Sequence, residues 1–335
     1  MAKLNKDYWR ERALDRLNQS ELKGVAAIAQ TQAIYDKALK NINAQIQEIY
    51  DNYSEKGNVD VAKLKKALTP QGRKAFLRSI EQAAQKLGVK PDELYDDRYL
   101  ERLTRLDALK EQAKLEIMAI APQEIEASEA KYKEVLETTY SNTQKDLATM
   151  GVTPGFATLN KDIVTQILNS KWVGGNYSSR VWANVDELAT ELPEILGGGL
   201  ASGASTQRTA MEIRKRFEVS KYVATRLVRT ETNYFHNQAE LQSYIDDGIK
   251  YYEYDAMMDG RTSLICQRLN EKKFKVSEAV PGVNYPPMHP NCRSTTVVVF
   301  ESEYKKPTQQ ERTQRIIIGV LKKQLQAQYV EKLKR

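Results

Sequence analysis

The 335-residue chain holds only two cysteines, two histidines and ten prolines. Two cysteines cannot build a disulfide framework, so a reducing compartment such as a cytoplasm is expected. Apolar residues make up 41%, below the roughly 45 to 50% of an average globular chain. Runs such as Ile316 to Leu321 fall far short of the roughly 20 residues that cross a bilayer. The opening Met-Ala-Lys-Leu-Asn-Lys-Asp-Tyr-Trp-Arg also lacks the apolar stretch of a signal peptide. A soluble protein without a membrane partner is expected. No phosphate-binding Gly-x-x-x-x-Gly-Lys-Ser/Thr loop is present, nor Gly-x-Gly-x-x-Gly, Gly-x-Ser-x-Gly or His-Glu-x-x-His. These absences set aside nucleotide-driven motors and dinucleotide enzymes.

Charge, in contrast, is plentiful: 51 Lys and Arg face 44 Asp and Glu, and together they are 28% of the chain. Such a surface suits exposed helices, and a net +7 is compatible with a polyanionic partner without demanding one. The surplus is local, because from Glu301 onward nine basic residues meet four acids.

Glycine divides the chain. Eight of its 16 glycines lie between Gly151 and Gly203, and only four precede them. The front reads as helix: Tyr35, Leu39, Ile42, Ile46, Ile49 and Tyr53 recur at four- and three-residue steps, the seam of one helix lying along another. A long helix is predicted over about 7–54, a short one over 74–87 and another toward 100–120. Pro122 is expected to interrupt, with helix resuming over 123–150. The middle predicts helices over 159–172 and 178–196, the second closed by Gly197-Gly198-Gly199. Ser205 or Thr206 should cap a helix to Phe217, and Ser220 the next, to about Asp246, where Gly248 stops it. Short strands are then predicted at 249–256, 273–276 and 295–300.

The fold class expected is α+β and predominantly helical, with long N-terminal helices and a small C-terminal α+β domain carrying a short sheet. Its divisions are a helical arm or bundle over 1–150, a glycine-punctuated connector over 151–204, the α+β domain over 205–300 and a basic amphipathic tail over 301–335. Lys305, Lys306, Arg312, Arg315, Lys322 and Lys323 of that tail are candidates for contact with DNA or a protein partner. A solvated face over an ordinary packing stripe explains them as well.

Three of the four His and Cys residues fall between Cys266 and Cys292. Cys266, His289 and Cys292 offer two thiolates and an imidazole, ligands that zinc prefers, with Asp259 or water as a possible fourth. The alternative is two small buried cysteines and a histidine bonded to a loop carbonyl. Pro286, Pro287 and Pro290 stiffen the loop around His289. Asp259-Gly260 suits a turn, and Arg261 is expected to pair with a carboxylate such as Glu231. Arg226, Thr230, Asn233 and Asn237 form a polar stripe with Arg229 and Glu231 at its margins, lining a cleft or tying the helix to the Asp259 turn. An enzymatic alternative is a metal-dependent nuclease using Glu231, Asp259 and His289.

Taken in order, Trp172, Asn176 to Trp182, Arg229-Thr230-Glu231, Asn237, Tyr244, Gly248, Asp259-Gly260-Arg261-Thr262-Ser263, Cys266, Leu269 and Pro286-Pro287-Met288-His289-Pro290-Asn291-Cys292-Arg293 resemble the phage head morphogenesis family. These are the Mu F-like, SPP1-type minor capsid proteins. The resemblance covers about 170–300, and Tyr8-Trp9 with Arg12 is similar to the start of such proteins. It implies a virion component, not an enzyme, associated with the portal protein during procapsid assembly. It also implies DNA packaging or ejection, with phage DNA, scaffolding or major capsid protein as further partners. The location implied is the capsid interior or portal vertex, after assembly in the host cytoplasm. Relatives often carry cysteine where this chain has Ser263 and Ser294, which counts against zinc, and glycine where it has Glu271, which counts against their turn at Asn270. Some carry a toxin or nuclease domain beyond the shared region; the 35 residues after Phe300 are too few to be expected to form one.

Overall fold

The computed structural model describes residues 6–55, 58–95, 100–155, 158–202 and 204–304. The predicted tail helix and its six basic candidates lie outside these described residues. The fold is a predominantly helical α+β one, with a small antiparallel sheet late in the chain. No helix among the described residues is long and apolar enough to cross a membrane.

The chain forms two compact units. The first unit takes the described chain up to Ala27, then Glu129–Tyr177, then the stretch from Arg226 on; the second takes Ile28–Ser128 and Ser178–Thr225. Helix α1, Lys6–Tyr53, contributes to both.

In the second unit α1 buries Tyr35, Ala38, Ile42, Ile46 and Tyr50; Tyr35, Ile42 and Ile46 of the expected seam lie inside, while Leu39, Ile49 and Tyr53 are half-buried. A two-residue hairpin, β1 (Ser54–Glu55) and β2 (Asn58–Val59), and the turn of helix α2 (Val61–Leu64) follow. Helix α3, Pro70–Leu87, starts four residues before the expected point because Thr69 caps it through the Gly72 amide and Pro70 occupies the first turn. After α4 (Pro91–Leu94), helix α5 (Arg105–Met118) begins on a capping box of Thr104 and Asp107. Helix α6 covers Ile120–Thr149. Pro122 sits in its first turn, where a missing amide breaks no helical bond, so the interruption falls at Ala119.

Two further expectations fail. Helix α8, Tyr177–Ala201, runs through Gly197-Gly198-Gly199, which was expected to end it. There the missing side chains serve close approach: a Cβ on Gly197 would strike Lys110, and one on Gly199 would lie 2.8 Å from Thr209 Oγ1. Ser220 caps nothing, because α9 is one helix from Thr206 to Asp246. Ser220 is buried within it, its carbonyl accepting from Asn184 and its hydroxyl from Arg216.

The first unit contains the sheet and helix α7 (Lys161–Asn169), which is shorter than predicted: Asn160 caps its start and the extended Ser170 ends it. Gly248, with φ of 66°, ends α9. Strand β3 (Tyr251–Ala256) is central, flanked by β4 (Lys273–Lys275) and β5 (Ser294–Val299), both antiparallel to it. Helix α10 (Leu264–Leu269) lies between β3 and β4 in sequence. Alternation along β3 puts Tyr252, Tyr254 and Ala256 into the core with Tyr244, Cys266, Phe274, Tyr285 and Cys292. The opposite positions are Glu253 and Asp255, both buried. Arg10 of α1 lies on that acidic side, 2.8 Å from Glu253 and 3.6 Å from Asp255.

Candidate functional site

The polar stripe on α9 ties that helix to the His289 loop. Thr230 Oγ1 accepts from the Asn291 amide at 3.0 Å. Asn233 and Asn237 each donate to the Ser294 carbonyl, at 3.0 and 3.2 Å. The Asn237 carbonyl accepts from the buried Tyr285 hydroxyl at 2.8 Å. These four hydrogen bonds tie α9 to the segment from Tyr285 to Ser294.

The Asp259 turn joins the same loop through Arg293, which donates to both carboxylate oxygens at 2.6 and 2.8 Å. Asp259 also accepts from the Arg261 amide, and its own amide donates to Thr262 Oγ1. Arg293, then the Arg261 amide, hold the Asp259 carboxyl well below the usual carboxylate range. The expected Arg261–Glu231 pair does not form. Arg261 is exposed and reaches Asp259 instead, while Glu231 is buried and accepts from Trp172 Nε1 at 3.1 Å. Trp172 itself stacks on Tyr234, ring centroids 4.9 Å apart. Arg229 is exposed.

Around His289 the three sequence-predicted ligands do converge: one ligand atom from each of Cys266, His289 and Cys292 lies within 4.8 Å of the others. Cys266 Sγ is 3.2 Å from His289 Nε2 and 3.8 Å from Cys292 Sγ. Both cysteines are buried free thiols. His289 Nδ1 meets the Pro290 carbonyl at 2.8 Å. Ser263 Oγ lies 2.8 Å from His289 Nε2 and accepts from the Cys266 amide as the cap of α10. The hydrogen bond with Cys292, reinforced by those with His289, Ser263 and Tyr254, pulls the Cys266 thiol down against burial. Burial pushes Cys292 up. The bond with Cys266 raises His289. Pro287 is buried and Pro290 half-buried on either side of His289.

Among the described residues this ligand cluster excludes Glu231 and Asp259. The three groups of the nuclease alternative therefore engage separate partners: Trp172, Arg293 and the thiols.

Sequence reasoning missed a second buried network. Arg16 bridges Glu240, at 2.8 Å, and Asp146, which also takes a bond from Arg12 at 2.6 Å. Glu240 Oε2 accepts from Thr295 and Thr296 of β5 at 2.8 and 3.2 Å. His236 sits between Ser20 Oγ, 2.9 Å from Nδ1, and Thr295 Oγ1, 3.2 Å from Nε2. Burial pulls its pKa down to about 4. Gly24 faces Thr232 in the same series. Gly24, Ser20 and Arg16 descend α1 in steps of four as Thr232, His236 and Glu240 ascend α9, the match of two antiparallel ridges. That shared spacing was the available signal, visible only when the two helices are set side by side.

Residues 191–297 match the family model described as phage Mu protein F like protein. No curated protein and no solved structure matches the chain. The matched stretch contains the α9 stripe, the Asp259 turn, the thiol cluster and β3 to β5 apart from its last two residues.

Proposed function

We propose that this chain is a minor head protein of a tailed phage that docks on the portal protein during procapsid assembly and works by binding, with no turnover of its own. The observation that carries the reading is the match of residues 191–297 to the Mu F-like family, a family of phage head assembly. Its motif residues in this chain are spent on one another: Thr230 and Asn237 on the segment from Asn291 to Ser294, and Arg293 on Asp259. Side chains already committed to mutual hydrogen bonds suit a rigid docking body better than a reacting centre. The basic residues Lys305, Lys306, Arg312, Arg315, Lys322 and Lys323 supply attraction to packaged or ejected DNA.

The test is co-purification of the tagged full chain with the portal protein from cells assembling procapsids, with mass spectrometry of finished virions. A stable complex and a few copies per particle are expected. Absence from procapsids and virions alike, or cutting of DNA by the purified chain with a divalent metal, would overturn the reading.

A further inference from the structure

We propose that Cys266, His289 and Cys292 form a zinc site that pins α10 to the proline-rich loop, with the Ser263 hydroxyl at the fourth corner. Tetrahedral zinc with bonds of about 2.3 Å to sulfur and 2.0 to 2.1 Å to nitrogen implies ligand separations of about 3.8 Å for sulfur to sulfur and about 3.5 Å for sulfur to nitrogen. The chain places Cys266 Sγ 3.8 Å from Cys292 Sγ and 3.2 Å from His289 Nε2. The sulfur–sulfur edge already fits, and the sulfur–nitrogen edge needs to open by only about 0.3 Å to admit the ion.

The histidine is oriented for it. A carbonyl oxygen can only accept, so the 2.8 Å contact of His289 Nδ1 with the Pro290 carbonyl puts a proton on Nδ1 and turns the Nε2 lone pair toward the thiols. Ligating histidines are fixed by such a bond on their other nitrogen. The elements are stiff: Pro287 and Pro290 bracket His289, and Asn291, at φ of 58°, makes the bend that returns Cys292. Ser263 Oγ, 2.8 Å from His289 Nε2, supplies the oxygen, a weaker ligand than the thiolate a cysteine would offer there. The ion would bridge residues 26 positions apart in sequence, within a core whose remaining members are chiefly Tyr, Leu and Phe. That is a fastening role, with no coordination position needed for substrate.

The experiment loads the reduced, metal-free full chain with cobalt(II) alone and reads thiolate-to-cobalt charge transfer. Elemental analysis of the chain as purified runs alongside it. One zinc per chain and a tetrahedral two-thiolate spectrum are expected. Cys292→Ser should halve the charge-transfer intensity, and Ser263→Cys should raise it by about half, as a third thiolate joins. A Tyr254→Phe control, which removes a hydroxyl that bonds the Cys266 sulfur but no ligand, should leave it unchanged. If Cys292→Ser does not fold, a chelator-dependent drop in the wild-type thermal midpoint decides. A metal-free chain that gives no cobalt thiolate band, or a Cys266–Cys292 disulfide in the freshly isolated protein, would overturn the site. An unchanged spectrum in Ser263→Cys would remove Ser263 from it.

Discussion

Glu124 is fully buried in the second unit, and burial pushes its carboxyl up to about 7, against a modest opposing pull from the Tyr35 hydroxyl. The unfolded chain releases that proton near its ordinary value of 4.5 and the folded chain holds it to about 7, so the folded form binds more protons in between and stability falls as pH rises through that window. Glu124→Gln should remove the loss, making the change in urea-unfolding free energy between pH 5 and 8 smaller by about 3 kcal/mol than in the wild type. His236 has the opposite sign. With its pKa pulled to about 4, it takes up a proton only when unfolded between about 6.5 and 4, so stability is lost as pH falls through that range. Its imidazole NMR signals should stay fixed from pH 5 to 8; a titration midpoint inside that interval would show the ring open to water.

Helices α1 and α8 meet their neighbours through glycine at Gly24, Gly197 and Gly199. At Gly24 an added Cβ would lie 2.8 Å from Thr232 Oγ1 and 3.2 Å from its Cβ, and Thr232 is held by its own bond to the Val228 carbonyl. Gly24→Ala should therefore destabilise by about 1 to 3 kcal/mol, because the helix axes must part. Gly198 lies in the last turn of α8 with open space around it, and Gly198→Ala should stabilise, by up to about 1 kcal/mol, through helix propensity alone. Thermal unfolding of the two variants checks the contrast; equal shifts would mean that the Gly24 approach is looser than the geometry says. Glu271 is the converse case. It holds φ of 62° where the resemblance expects glycine, and its carboxylate is engaged by Arg10 at 2.8 Å, a contact that offsets part of the backbone strain.

For the whole molecule, DNA contact through the tail makes a quantitative prediction. If all six named basic residues neutralise phosphates, the logarithm of the binding constant should fall with the logarithm of salt at a slope of about −5. Deletion of 301–335 should flatten that slope in a fluorescence-anisotropy titration; an unchanged slope would assign the charge to another surface. Local chemistry in the sequence was enough to place most elements: the apolar spacing of α1, the glycine stop at Gly248 and the β-branched run of β5 each act within a few residues. It also placed Cys266, His289 and Cys292 in one set, because two short motifs carry all three. It could not place the end of α8 or the continuity of α9, since whether a glycine or serine ends a helix depends on what packs there: Lys110 and Thr209 against the glycines, Asn184 against Ser220. Nor could it pair Arg16 with Glu240 across 224 positions, or give Arg293 rather than Arg261 the larger hold on Asp259. Sequence determined which segments would be helix, strand or turn, because those preferences are local. Only the tertiary structure decided which buried charges meet and which glycines are contacts, because desolvation compels partners wherever along the chain they lie.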